Sequence, residues 1–291
     1  MRIDLHTHSS VSDGTDAPAE LVAKARAAGL DVVALTDHDT FDGLAEAREA
    51  AVVQGIALVE GMEFSTQRGG ESVHLLGYGC APDDPALLAE LARVREGRSG
   101  RVPAMVRKLT ELGMPLEVSD VLAQAGDAPS IGRPHVADAL VAKGYVANRD
   151  EAFARYLDDD GPAFVGRYSP DLAAAIDLVH GAGGAAVVAH PWGRGRAHVL
   201  PLAVLESLVA DHGLDGLEAD HPDHDGDTRA ALHRVAERLG MVATGSSDHH
   251  GAGKTHNPLG ACLTEPAALD ALRARISAHA GTRGSGEGLV G

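Results

Sequence analysis

Cysteine is nearly absent from the 291 residues: Cys80 and Cys262 stand alone, outside any CxxC pattern or paired framework. Neither a disulfide scaffold nor a thiolate zinc site is expected, and the chain reads as one for a reducing compartment, the cytoplasm. Basic charge is scarce too, with 25 Lys and Arg against 42 Asp and Glu and a formal net charge of -17. That balance argues against the broad basic face with which a sequence-independent binder of duplex DNA displaces counterions from phosphates, and leaves room only for a local basic pocket. Long apolar runs are missing as well. None approaches the roughly eighteen residues of a spanning helix, and the opening MRIDLHTHSS has no charged lead before an apolar core, so neither a membrane span nor a secretory signal is expected. What the chain has in excess is histidine, sixteen in all.

Seven short β-branched or apolar runs, at residues 2–5, 31–36, 56–60, 72–78, 185–189, 215–218 and 241–244, alternate with helical stretches. The pattern is that of βα units around a mostly parallel sheet, hence an α/β barrel. Helices at 17–28 and 41–54 end on Gly29 and Gly55, the residue type that tolerates a left-handed cap. From about residue 84 strand signals vanish, and helical stretches follow at 85–96, up to Leu112, and at 119–125, 134–143 and 149–157. The expected organisation is a barrel in two parts, 1–83 and 165–280, an all-α lobe inserted at 84–164, and a glycine-rich, disordered tail at 281–291.

The candidate chemistry sits where the strands end. His6-Thr7-His8 alternates, and a strand's period of two turns both imidazoles to one side. Asp13 follows in a Ser-Asp-Gly turn, His38 follows VVALT, Glu63 follows ALVEGM, His190 follows AAVVA, and Asp248 and His250 come after MVATGSS. All lie at or beyond the C-terminal ends of strand runs, where the loops of an α/β barrel assemble an active site. His74 differs, since it sits inside its apolar run. Imidazoles and carboxylates without thiolates suit divalent manganese, iron or zinc, and their number exceeds the needs of one tetrahedral ion, so a polynuclear site is expected with Glu63 suited to bridge two ions. His249, between two of these residues, should point away; His180, His212, His233 and His279 fall in helical stretches and should face solvent. Trp192 should either cover the site or pack under its loop.

Read together, Asp4-Leu-His-Thr-His8 with Ser12-Asp-Gly14, Ala34-Leu-Thr-Asp-His-Asp39, Gly61-Met-Glu-Phe-Ser65, His74-Leu-Leu-Gly-Tyr78, Ala189-His-Pro191 and Gly245-Ser-Ser-Asp-His-His-Gly251 resemble the PHP (polymerase and histidinol phosphatase) family of metal-dependent phosphoesterases. The resemblance implies a distorted seven-stranded (β/α) barrel, a (β/α)7 PHP barrel with an inserted all-α lobe, holding two to three divalent ions, manganese foremost and iron or zinc as alternatives. It implies that His6, His8, Glu63 and Asp248 hold the first ion, Asp13, His38 and Glu63 the second, and His74, His190 and His250 the third. Some members carry histidine where Asp13 stands.

Within the family, Gly132-Arg-Pro-His135, Phe153-Ala-Arg-Tyr-Leu157, Gly161-Pro-Ala-Phe164 and the arginines Arg95, Arg98 and Arg101 resemble the branch that acts on nucleoside 3',5'-bisphosphates or trims short RNA from its 5' end. Guanidinium groups grip phosphate through paired hydrogen bonds, so Arg98, Arg101, Arg133 and His135 are the expected substrate contacts. His224, in His221-Pro-Asp-His224, is expected near the substrate as phosphate ligand or proton donor. The expected reaction is phosphomonoester hydrolysis by a metal-activated water, with Asp248 in the metal set. Rival readings are a histidinol-phosphate phosphatase, a metal amidohydrolase whose bridging modified lysine has no obvious place here, and a non-catalytic metal-binding module. The sequence is silent on oligomeric state.

Overall fold

The computed structural model describes residues 1–158 and 160–286. Seven strands form one sheet in chain order: β1 (Ile3–Asp4), β2 (Val32–Leu35), β3 (Ala57–Arg68), β4 (Glu71–Tyr78), β5 (Ala185–Val188), β6 (Gly216–Asp220) and β7 (Val242–Gly245). Just past β1 and β7, a bridge between Thr7 and His249 draws the two edges together, and the His8 N–H donates to the His249 carbonyl at 2.8 Å. The sheet is thus a nearly closed barrel.

Six strands run parallel to one another, and β4 runs antiparallel to both β3 and β5. The β3–β4 pair is a hairpin turned at Gly69 and Gly70, whose φ of 61° and 89° favours residues without a Cβ. This pairing carries β3 well past the run expected at 56–60, because each further residue finds a ladder partner down to Arg68 opposite Glu71. Glu63 therefore lies inside a strand and not in a loop after one. The reversed direction of β4 explains His74: it pairs with Ser65 near the start of its strand, at the barrel end where the other strands finish.

Ile3, Leu5, Ala34, Leu76, Tyr78 and Val187 fill the barrel interior, joined by Leu269 and Leu272 of α11 (Pro266–Gly286). The helices α1 (Pro18–Ala27), α2 (Leu44–Gln54), α8 (Leu172–Gly181), α9 (Leu202–His212) and α10 (Gly226–Leu239) pack outside the strands. Between β4 and β5 come α3 (Pro85–Gly100), α4 (Val102–Glu111), α5 (Val118–Ala125), α6 (Arg133–Ala142) and α7 (Arg149–Ala152), the last continuing as a π-turn over Phe153–Leu157. A separate apolar cluster of Val102, Met105, Leu109, Val136, Leu140 and Leu157 holds α4 to α7 together. The apolar side of α3 serves the barrel instead, placing Leu87, Leu91 and Val94 against Phe64, Val73 and Leu172. The helical segment's own core thus begins at Val102, after α3.

α11 runs on to Gly286, so residues 281–286 are helical where a structureless tail was expected; residues 287–291 lie outside the described residues. No helix among the described residues is long and apolar enough to cross a membrane. Both cysteines are buried and free.

Candidate metal centre

The strand-end residues converge. His6 Nε2 and His8 Nε2 lie 3.0 Å apart and 3.3 and 3.2 Å from Glu63 Oε2, with Asp248 Oδ1 at 3.7 and 3.5 Å from the two nitrogens. Four donors at such separations match the edges of about 3.3 Å that a tetrahedron with ligand bonds of about 2.0–2.1 Å requires. Asp13 gathers a second group, with Oδ1 3.2 Å from His250 Nε2 and Oδ2 3.6 Å from His38 Nε2. The other oxygen of Glu63 faces a third: Oε1 lies 2.9 Å from His74 Nδ1 and 3.3 Å from His190 Nε2. Glu63 therefore turns one oxygen to each of two groups, as a bridging carboxylate must. The grouping differs from the one the resemblance implied. His250 falls beside Asp13 because both loops meet where Thr15 N–H bonds the His250 carbonyl, while Glu63 and His74 share one face of the β3–β4 hairpin.

Hydrogen bonds fix the tautomers that make these nitrogens ligands. His6 Nδ1 donates to Glu218 Oε1 at 3.2 Å, leaving the Nε2 lone pair aimed at His8. His250 Nδ1 donates to the Asp248 carbonyl at 2.9 Å, so its Nε2 lone pair faces the Asp13 carboxylate. Lone pair against carboxylate is repulsive unless a cation lies between. His8 Nδ1, His38 Nδ1 and His74 Nδ1 are buried without an aligned hydrogen bond, although His38 Nδ1 and His74 Nδ1 stand 3.1 and 2.9 Å from the two Glu63 oxygens. Burial alone would push His8 down, but Asp248, Glu63 and Asp13 outweigh it and lift it to about 9. The cluster calls for positive charge, and its donor set fits divalent metal ions.

The metal-cluster loops carry strain. Among the described residues other than glycine, φ is positive at Asp39, His190 and Asp248, all in or beside the cluster. Each is held by neighbours: Asp39 by Arg98, the His190 N–H by Glu218 Oε2 at 2.9 Å, and Asp248 Oδ2 by His221 Nε2 at 3.3 Å and by the Lys254 ammonium. Because His221 Nδ1 accepts the Asp223 N–H at 3.0 Å, its Nε2 carries the proton and orients Asp248. Glu218, fully buried in the middle of β6, joins His6, His190 and the Ser246 hydroxyl; His6 and His221 outweigh its burial and hold it down at about 2. The sequence reading did not single out Glu218, His221 or Lys254. An acidic residue closing an apolar run was the available signal for Glu218.

A cavity of about 460 Å³ opens over the cluster, with Asp13, His38, Glu63, His74, His190, Asp248 and His250 on its floor. This is within the roughly 300–1,000 Å³ usual for small-molecule sites. Arg98, Arg101, Arg133, Arg149, Arg167, Arg196 and Lys254 line it, together with Phe153. One of the arginines expected on substrate, Arg98, serves the protein first, as does its neighbour Arg95. Arg98 pairs with Asp39 Oδ2 at 2.7 Å and bonds the Ser65 hydroxyl, while Arg95 donates to the Asp39 carbonyl at 2.6 Å. Arg101 donates to the Val165 carbonyl at 3.3 Å, and Arg133 donates to the Leu157 carbonyl at 3.0 Å and lies over Phe153 and Phe164.

His135 and His224 are not among the residues lining the cavity. His135 Nδ1 accepts the Gly132 N–H at 3.1 Å and caps α6, which explains its burial. The neighbour of His224, Asp223, does line the cavity; His224 Nδ1 donates to the Ala219 carbonyl at 2.9 Å, Nε2 carries the lone pair, and burial pushes the ring's pKa down. As placed, the His224 ring offers Nε2 as an acceptor and not as a proton donor. His249 points away, donating to the Asn257 carbonyl at 2.8 Å, and Trp192 packs under its loop with Nε1 on the Leu200 carbonyl. His233 is exposed as expected, whereas His180, His212 and His279 are half-buried.

A barrel that gathers six imidazoles and three carboxylates at its strand ends, beneath an arginine-lined cavity, defines a hydrolase built for divalent metal and phosphate. The PHP domain matches residues 4–96. A 3',5'-nucleoside bisphosphate phosphatase of Chromobacterium violaceum is 36% identical over 263 residues, covering 89% of this chain and 90% of that protein. A 5'-3' exoribonuclease of Haemophilus influenzae is 35% identical over 252 residues, covering 86% and 90%. The crystal structure of a protein from Bifidobacterium adolescentis described as a metal-dependent phosphoesterase superposes with a TM-score of 0.89 at 38% identity, over 94% of this chain and 96% of that one. The chain belongs to the PHP family, and it is a phosphoric ester hydrolase.

Proposed function

We propose that the protein hydrolyses phosphomonoesters of nucleotides, foremost the 3'-phosphate of nucleoside 3',5'-bisphosphates, with the 5' ends of short RNA as a second substrate class. The observation that carries this reading is a single cavity whose floor is the histidine–carboxylate cluster and whose wall holds Arg101 and Arg133 from the helical segment. A phosphate on the floor and a second phosphate on the wall is what a bisphosphate offers. Phe153 adds an apolar face for the nucleoside. The phosphatase and exoribonuclease relatives support the substrate class.

In this reading the protein takes two to three divalent ions, manganese foremost, with His6, His8, Glu63 and Asp248 around one, Asp13, His38 and His250 around another, and Glu63, His74 and His190 around a third. Bound divalent ions supply Lewis acidity toward phosphate oxygens and water that is nucleophilic at neutral pH. The chain's own residues do the rest. Glu218 and His221 hold His6 and Asp248 in their tautomer and rotamer, and Arg101 and Arg133 grip the remote phosphate so that the reacting one is oriented. The acidic exterior and small cavity favour nucleotides over duplex DNA, and two free buried cysteines suit the cytoplasm.

The test is phosphate release by manganese-loaded protein from adenosine 3',5'-bisphosphate, AMP, histidinol phosphate and a short 5'-phosphorylated RNA, for wild type and Arg133→Ala. Bisphosphate should be the best substrate, and the variant should lose about 10- to 150-fold in kcat/KM on it, the equivalent of one charged hydrogen-bonding group worth about 1.5–3 kcal/mol. Turnover of histidinol phosphate alone would overturn the reading.

A further inference from the structure

At the opposite end of the barrel from the cavity, three residues from separate elements meet: His180 in the last turn of α8, Asp215 immediately before β6, and His279 on α11. His180 Nε2 is 2.9 Å from Asp215 Oδ2, and His279 Nε2 is 3.1 Å from both Asp215 oxygens. The two imidazoles stack face to face, centroids 4.0 Å apart and planes 13° from parallel, so both Nε2 atoms present to the same carboxylate. We propose that His180, Asp215 and His279 form a further divalent-metal site, separate from the cluster under the cavity, that fastens the C-terminal helix to the barrel.

Two imidazole nitrogens and a carboxylate oxygen are a donor set for borderline ions such as Zn²⁺ or Co²⁺, and a poor one for the harder Mg²⁺ or Ca²⁺. The donors stand at 2.9 to 3.1 Å. Ligand bonds of about 2.0–2.1 Å need about 3.3 Å between donors in a tetrahedral set, so each nitrogen–oxygen distance has to open by only a few tenths of an ångström, while the stacked rings have to tilt out of parallel for both Nε2 lone pairs to point at one ion. The Asp215 carboxylate is already oriented, because the Ala186 N–H donates to its Oδ2 at 2.9 Å, the kind of outer contact that holds a metal-ligating carboxylate in place. Its side chain is 1% exposed, while those of His180 and His279 are 17% and 23% exposed. The carboxylate forms the dry base of the site, and the half-open rings leave a side through which an ion enters and water completes its coordination. Without the ion, each Nε2–H donates to the carboxylate. With it, the imidazoles shift to the Nδ1–H tautomer and turn the Nε2 lone pair to the metal, with no net change in their protonation.

Separation from the catalytic end follows from the strands. Ala186 sits at the start of β5 and His190 just past its end, four residues or about 13 Å further along an extended chain. Occupancy should therefore change stability and leave turnover alone, since an ion bound only by the folded form stabilises it by mass action.

The experiment compares metal-stripped wild type with His279→Gln and His180→Gln, variants that keep an N–H to donate to Asp215 and remove an imidazole. Each is loaded with Zn²⁺, and bound metal is counted by elemental analysis alongside the thermal midpoint and phosphate release. Wild type should hold one equivalent more than either variant and show a Zn²⁺-dependent rise of a few degrees in Tm that both variants lack, with phosphate release equal in all three. Because the readout is a difference in stoichiometry, it does not depend on how many ions the catalytic cluster takes or on which ester it cleaves. Equal stoichiometry in wild type and either variant would overturn the proposal.

Discussion

Asp39 shows how much of the site depends on single residues. It holds a φ of 58°, a conformation that costs a side-chain-bearing residue roughly 1–3 kcal/mol, directly after His38. Its carboxylate accepts the Ser65 N–H at 2.7 Å and pairs with Arg98 Nε at 2.7 Å, which ties the His38 loop to β3 two residues beyond Glu63. Removing the guanidinium would leave that carboxylate buried and unpaired. Arg98→Met is therefore expected to cost about 3–5 kcal/mol in unfolding free energy, read from urea denaturation. An effect under about 1 kcal/mol would mean that Arg98 serves the substrate and not the loop. The arginines of α3 also show a limit of reading sequence. Arg95, Arg98 and Arg101 look alike in the sequence, and only the fold shows that the first two bind Asp39 and that Arg98 and Arg101, but not Arg95, line the cavity.

At the scale of elements, the loop from His8 to Asp13 is held by contacts that leave no spare volume. Asp37 accepts from the Ser9 N–H and hydroxyl at 2.8 and 2.6 Å and from the Ser12 hydroxyl at 2.6 Å. A Cβ on Gly14 would stand 2.3 Å from the His8 carbonyl oxygen and 2.7 Å from its carbon. Gly14→Ala must displace the backbone between two of the proposed ligands. A misplacement of about 1 Å is worth about 100-fold in rate, so kcat should fall by about that factor with bound metal reduced and the far-ultraviolet circular dichroism unchanged. Wild-type metal content and turnover in this variant would show that the loop's position is not critical. All seven strand runs were legible from apolar patterning, because buried barrel strands write their core positions into the sequence. The direction of β4 and the length of β3 were not, since hairpin pairing depends on a partner that local pattern does not name. The same limit hid the grouping of His250 with Asp13 and the partnership of His180 with His279, residues brought together by α8 and α11 across the whole chain.

For the whole molecule, charge is divided by location. The chain carries a net -17, yet six arginines and a lysine line the one cavity over the metal cluster. An anion with two phosphates meets more of those cations than one with a single phosphate, and salt shortens their reach from about 10 Å at 0.1 M to about 3 Å at 1 M. KM for adenosine 3',5'-bisphosphate should therefore climb more steeply with sodium chloride than KM for AMP. Identical salt dependence would argue that the arginine wall does not sense the second phosphate. The helical segment carries its own apolar core around Met105 and Leu140, so it brings Arg101 and Arg133 to the cavity on a scaffold distinct from the barrel that carries the ligands.

The central claim is that the strand-end cluster works by holding divalent metal. It is tested most directly by stripping the protein with a chelator, confirming by elemental analysis that metal is gone, and measuring phosphate release from adenosine 3',5'-bisphosphate before and after Mn²⁺ is returned. Activity should vanish with the metal and come back with two to three equivalents of it, and Asp13→Ala should bind less metal and recover little. Release that persists in the stripped protein, or that no divalent ion restores, would contradict the account.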